Sequence, residues 1–172
     1  MGGALGYSSF DLPKGGTGTL QEGLRQKQFS KVLIMMGINE ISTSRERYKD
    51  SVTALVQLIR DNQAQGVPIY ILTITPTTTA KSESSDYNRK NVTRLNEVLA
   101  EVCGEQKCGL IDLYSCFADG NGYLPAEKST DGVHFKAPQY RVMADYILSH
   151  NAPEEQGITL PPAWRAWLER QS

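Results

Sequence analysis

The chain has 172 residues, with 18 Lys plus Arg against 19 Asp plus Glu and a net charge of −1, which fits one domain with room for a core. No basic stripe marks a nucleic-acid surface, and no apolar run approaches the length of a membrane span. The first residues lack the basic start and apolar core of a signal peptide.

Met1 to Gly18 is rich in glycine and serine and has no clear period, with a weak strand pattern over Ala4–Phe10. Gly15-Gly16-Thr17-Gly18 has the look of a phosphate loop but lacks the Lys-Ser/Thr ending that holds phosphate and magnesium. Thr19 to Phe29 carries Leu20 and Leu24 at helical spacing and predicts a short helix. Val32 to Met36 is an unbroken apolar run of five between Lys31 and Gly37. Such a run predicts a central strand buried on both faces of a parallel sheet. Gly37-Ile38-Asn39-Glu40 then stands at its carboxyl end, where open α/β sheets place their ligands. Asn39 either turns the chain there or points its side-chain amide into a crevice.

Ser42-Thr43-Ser44 is a helix-capping cluster. Tyr48, Val52, Leu55 and Ile59 follow as the apolar face of an amphipathic helix, which Gly66 and Pro68 terminate. Pro68–Ile74 predicts a second strand, with a hydroxyl-rich loop from Thr75 at its carboxyl end. Ser84 or Ser85 caps the next helix, whose inner face is Val92, Leu95, Leu99 and Val102. Cys103, Cys108 and Cys116 are an odd count in no zinc-like spacing. They read as buried or half-buried thiols, and an exported protein could join Cys103 to Cys108. Gly109–Tyr114 predicts a third strand, Asp119–Gly122 a turn, Pro125–Thr130 a loop or single helical turn, and Pro138–His150 a last amphipathic helix. Alternating strands and helices imply right-handed crossovers and a parallel sheet covered on both faces. This α/β domain spans residues 1–150. A tail over 151–172 holds Trp164, Trp167 and Leu168, which fit either a short docked helix or a partner surface.

Asp131-Gly132-Val133-His134 stands in the loop before the final helix. The ordinary reading makes Asp131 a cap and His134 a surface residue. The functional reading uses the spacing of three, which can bring the carboxylate to one ring nitrogen while the other faces a nucleophile. A base oriented by an acid is what activates a hydroxyl. Asn39 would supply a neutral donor to the oxyanion of an ester-cleavage intermediate. His150 reads as a helix-end or solvated residue.

Together, Gly37-Ile38-Asn39-Glu40 after an apolar strand and Asp131-Gly132-Val133-His134-Phe135 before the last helix resemble the Gly-x-Asn-Asp/Glu and Asp-x-x-His blocks of the SGNH (GDSL-type) hydrolases. The resemblance runs from about Gly16 to Leu148. It implies a flavodoxin-like three-layer α/β/α fold and hydrolysis of an ester or acyl group by a Ser-His-Asp mechanism. By position, His134 would be the base, Asp131 its partner, Asn39 an oxyanion donor and Gly18 (or Gly16) a second donor through its backbone N–H. No Gly-Asp-Ser block, which carries the family's nucleophile, occurs in the chain. The nearest text is Gly6-Tyr7-Ser8-Ser9, with only five residues before Gly6. The expectation is a chain that begins downstream of that block and lacks the first strand, leaving an apolar groove beside Val32–Met36.

The expected partner is a small-molecule ester, with neither nucleic acid nor a membrane span and with no metal or organic cofactor. The hydroxyl-rich loops Thr75–Asp86 and Phe117–Thr130 lean towards a small acyl group on a polar or carbohydrate carrier. The contrasting readings are an inactive relative that binds in the same crevice, and an unrelated anion-binding domain, which the lack of a phosphate loop disfavours.

Overall fold

The computed structural model describes residues 9–151. Ser8 and the tail carrying Trp164, Trp167 and Leu168 lie outside them.

The hairpin β1 (Phe10–Asp11) and β2 (Thr17–Gly18) leads into α1 (Leu20–Gln26). Thr19 caps α1 in a capping box, its hydroxyl accepting from Glu22 N while the Glu22 carboxylate accepts from Thr19 N. Then come β3 (Val32–Met35), α2 (Arg45–Asn62), β4 (Ile69–Leu72), α3 (Thr79–Ser84), α4 (Arg89–Gln106), β5 (Gly109–Ile111), α5 (Leu113–Phe117), a 3-10 turn at Ala126–Lys128, and α6 (Ala137–Ser149). Strands β3, β4 and β5 form a parallel sheet in that order, with Ile34 opposite Ile71 and Ile71 opposite Leu110.

The two-residue period of the strands divides the core into two layers. Ile34, Ile69 and Ile71 join Leu24, Val52, Val56, Leu95 and Leu99 on the side of α1, α2 and α4. Tyr70, Leu72 and Ile111 join Leu113, Phe117 and Phe135 on the side of α5 and α6. The sheet is therefore flanked by helices on both faces, as the alternation of elements predicts.

Four expectations are corrected. Val32–Met36 is not a central strand buried on both faces, because β3 is the sheet edge among the described residues and Leu33 and Met35 are 44% and 56% exposed. An apolar run reports burial of a strand in general, but not its place in the strand order. The third strand ends at Ile111 and not at Tyr114. Asp112 turns the chain into α5 by accepting the Ser115 N–H at 3.1 Å. The loop after β4 holds a helix, α3, capped by Thr78. Finally, α4 starts at Arg89 under an Asn88 cap, with Ser84 ending α3 and Ser85 following it.

Candidate active site

The segment Ser129–Phe135 is a tight loop closed by an antiparallel bridge between its two ends. The Ser129 hydroxyl donates to the His134 carbonyl at 2.8 Å and accepts from Gly132 N at 2.8 Å. Gly132 has φ +92°, and a Cβ there would meet Lys81 Cβ at 2.7 Å and Thr78 Oγ1 at 2.9 Å. Only glycine fits a position that combines left-handed backbone with that contact. The loop is also fastened to the start of α3, since Thr78 N donates to the Gly132 carbonyl at 3.0 Å.

Within this frame Asp131 uses its two oxygens differently. Oδ1 accepts from Val133 N at 2.9 Å and His134 N at 2.8 Å, and Oδ2 lies 2.7 Å from His134 Nδ1. The His134 backbone N–H, then its ring, then the Val133 N–H hold the Asp131 carboxyl well below the usual carboxylate range. A carboxylate at Nδ1 fixes the ring and directs Nε2 outward. Among the described residues His134 Nε2 has no hydrogen-bond partner, and both side chains are exposed.

Asn39 sits in the turn that follows β3. Glu40 N donates to the Gly37 carbonyl at 3.1 Å, and the Glu40 carboxylate accepts from Gly37 N at 3.0 Å. Gly37 has φ +124°, and a Cβ would collide with the Tyr48 hydroxyl and Ile74. Tyr48 is buried under the turn and donates to the Met36 carbonyl at 3.2 Å. Ile74 is held by Asn96, a fully buried residue of α4. Its side-chain amide pairs with Ile74 N at 2.7 Å and Ile74 O at 2.9 Å, as a neighbouring strand would. The Asn39 side chain is exposed and makes no hydrogen bond among the described residues.

These parts meet in one trough of about 590 Å³ along the open edge of β3. Asn39 and His134 line its upper end with Thr75 and Val133, and Leu20, Leu24, Leu33, Met35, Phe135 and Met143 make the rest mostly apolar. Asp131 stands behind His134, outside the lining. Gly18 is also outside it, two residues before Leu20, where an added Cβ would collide with Leu12 and Glu22. Sequence reasoning missed Tyr48 and Asn96 as supports of the Asn39 turn. A polar residue on the otherwise apolar inner face of α4 was the available signal for Asn96. No helix among the described residues is long and apolar enough to cross a membrane.

The model of the GDSL-like lipase/acylhydrolase family matches residues 3–142. The chain belongs to that family. No curated protein matches this GDSL-like chain. A candidate platelet activating factor from Streptococcus pneumonia superposes with a TM-score of 0.64 at 18% identity, over 71% of this chain and 59% of that one. A lipase/acylhydrolase from Enterococcus faecalis gives 0.57 at 18% identity, over 74% and 62%. An acetylxylan esterase from Geobacillus stearothermophilus gives 0.55 at 16% identity, over 75% and 60%. At these identities the likeness is one of fold. The GDSL-like chain spans about three fifths of the length of the solved structures it matches.

Proposed function

We propose that this GDSL-like chain carries the acid–base and oxyanion parts of a serine ester hydrolase. The observation that carries the reading is the 2.7 Å contact between Asp131 Oδ2 and His134 Nδ1, beside a trough that Asn39 shares. Asp131 keeps the proton of His134 on Nδ1, so Nε2 accepts the proton of a serine hydroxyl as that oxygen attacks the ester carbonyl. The tetrahedral oxyanion takes a hydrogen bond from the Asn39 amide. His134 then returns the proton to the departing alcohol, and water repeats the cycle on the acyl-enzyme.

The substrate in this reading is an ester of a small acyl group, such as acetyl, on a polar or carbohydrate carrier. The Thr75 hydroxyl, which lines the trough just beyond β4, and the acetylxylan esterase among the fold neighbours support it. A second reading, an inactive relative that only binds in the trough, draws on one observation. Ser129, the nearest serine in sequence, spends its hydroxyl on the His134 carbonyl, and Nε2 has no partner among the described residues.

Labelling the folded protein with a fluorophosphonate, read by intact mass and peptide mapping, separates the two. One serine adduct, lost in His134→Ala, supports the hydrolase. A folded chain that takes no adduct and cleaves no p-nitrophenyl acetate supports the binding module.

A further inference from the structure

At the end of the sheet away from the trough, α4 closes with Lys107 in the left-handed conformation, φ 51°. The next residue folds back, and Cys108 N donates to the Cys103 carbonyl at 3.0 Å. This six-residue closure joins Cys103, the fourth residue from the end of α4, to Cys108, the first beyond the Lys107 cap, and side chains at the two ends of such a closure frequently touch. Here both are cysteines. The hydrogen-bonded oxygen lies two bonds from the Cys103 Cα, and the nitrogen one bond from the Cys108 Cα. The closure therefore brings the two Cα atoms near the separation a disulfide needs, about 4.4–6.8 Å. Both thiols are buried in the same core cluster. They make only weak contacts, with the Gly109 carbonyl at 3.5 Å and the Gln106 carbonyl at 3.8 Å.

We propose that Cys103 and Cys108 are a disulfide-forming pair that clasps the end of α4 to the start of β5 in an oxidising environment, leaving Cys116 as a free thiol. The co-reactant is a low-molecular-weight disulfide such as glutathione disulfide. Cys108 attacks one of its sulfurs, giving a mixed disulfide and one glutathione. Cys103 then attacks the Cys108 sulfur, forming the Cys103–Cys108 bond and releasing the second glutathione. The two thiol protons leave on the two glutathione molecules, so the chain is oxidised by two electrons and the reagent reduced by two.

The surroundings set this order. A cavity of about 340 Å³ is lined by Arg60 and by Lys107 and Gly109, the residues on either side of Cys108, and both cysteines are buried behind it, Cys103 fully. Burial pushes both thiols up, and the charge of the Arg60 guanidinium offsets part of that at Cys108 only. Cys108 is thus the better first nucleophile. Burial also makes attack slow in the closed native state, so the exchange runs through local opening of the α4 end, where Cys108 is reached first.

The test refolds the chain from urea in a buffer of reduced and oxidised glutathione, then measures intact mass, free thiols of the unfolded chain and the peptide map. The expected product is a monomer two hydrogens lighter, with one titratable thiol at Cys116 and a linked Cys103–Cys108 peptide. Its urea midpoint should be higher than that of the reduced chain, and Cys108→Ser should end any loss of two hydrogens. Three free thiols in the refolded monomer, a link that involves Cys116, or an oxidised chain with a lowered midpoint would each overturn the proposal. None of these readouts depends on the hydrolase reading.

Discussion

Asp131 is the residue on which the candidate site turns, because one carboxylate both builds the loop and faces the imidazole. Its folded-state pKa is depressed, chiefly by the His134 N–H. The stabilisation is therefore fully present above the unfolded value of about 3.9 and is lost as pH falls through the lower folded value. The amide signals of Val133 and His134 should stay native through mild acid and shift only below about pH 4. Asp131→Asn should make them insensitive to pH there, and a native loop that came apart near about pH 5 would contradict this assignment. At Asn39 the expectation concerns rate. In an active form, Asn39→Ala should lower kcat about a hundred- to a thousandfold with little change in KM, because the donor acts on charge that exists only in the transition state. A change confined to KM would instead make Asn39 a substrate-binding residue.

Between elements, the turn bearing Asn39 depends on contacts from three directions. Tyr48 supports it from α2, Ile74 from the segment just beyond β4, and Asn96 holds Ile74 from α4. Gly37→Ala forces a side chain into a left-handed position with no space, and strain of this kind costs about 1–3 kcal/mol before the collision is added. Asn96→Leu should cost about 1–3 kcal/mol for each of the two Ile74 backbone groups it strands. Urea denaturation measures both, and an unchanged midpoint for Asn96→Leu would mean Ile74 finds other partners. How far the sequence shows these elements depends on how local their causes are. Strand β4 and helix α2 were legible because a run of apolar residues, a Ser44 cap and the Tyr48–Ile59 stripe are all written within a few turns. The Asp131–His134 contact was legible from spacing alone. Helix α5 was not, because Asp112 in an apolar run reads as strand until its carboxylate is seen to accept the Ser115 N–H. The exposed position of β3 was not legible either, since strand order is set by contacts between distant segments.

At the scale of the molecule, the two layers are unequal. One is a filled core in which α2 and α4 are also joined by ion pairs, Arg45 to Glu101 at 2.7 Å and Lys49 to Glu101 and Glu105 at 2.8 and 2.7 Å. The other thins out towards β3, where Leu33 and Met35 stand open and α6 has no buried residue. An apolar strand edge of this kind invites pairing with other chains. Lys at positions 33 and 35 (Leu33→Lys with Met35→Lys) should therefore lower light scattering from concentrated solutions. Stability should change by no more than about 0.5 kcal/mol per site, since neither side chain is in the core. A large loss of Tm would show that both are buried in solution.

At the foot of that strand, Lys31 reaches across to the end of α6. Its ammonium donates to the Asn151 carbonyl at 2.5 Å and to the Asn151 side-chain oxygen, and Asn151 in turn donates to Ile147 O at 2.7 Å. This is the latch of the last helix, and it gives proteolysis a sharp boundary. A cut beyond Asn151 leaves the latch closed. A cut one residue earlier releases Lys31, frees α6 to peel from the sheet, and takes with it the Met143 and Tyr140 wall beside His134.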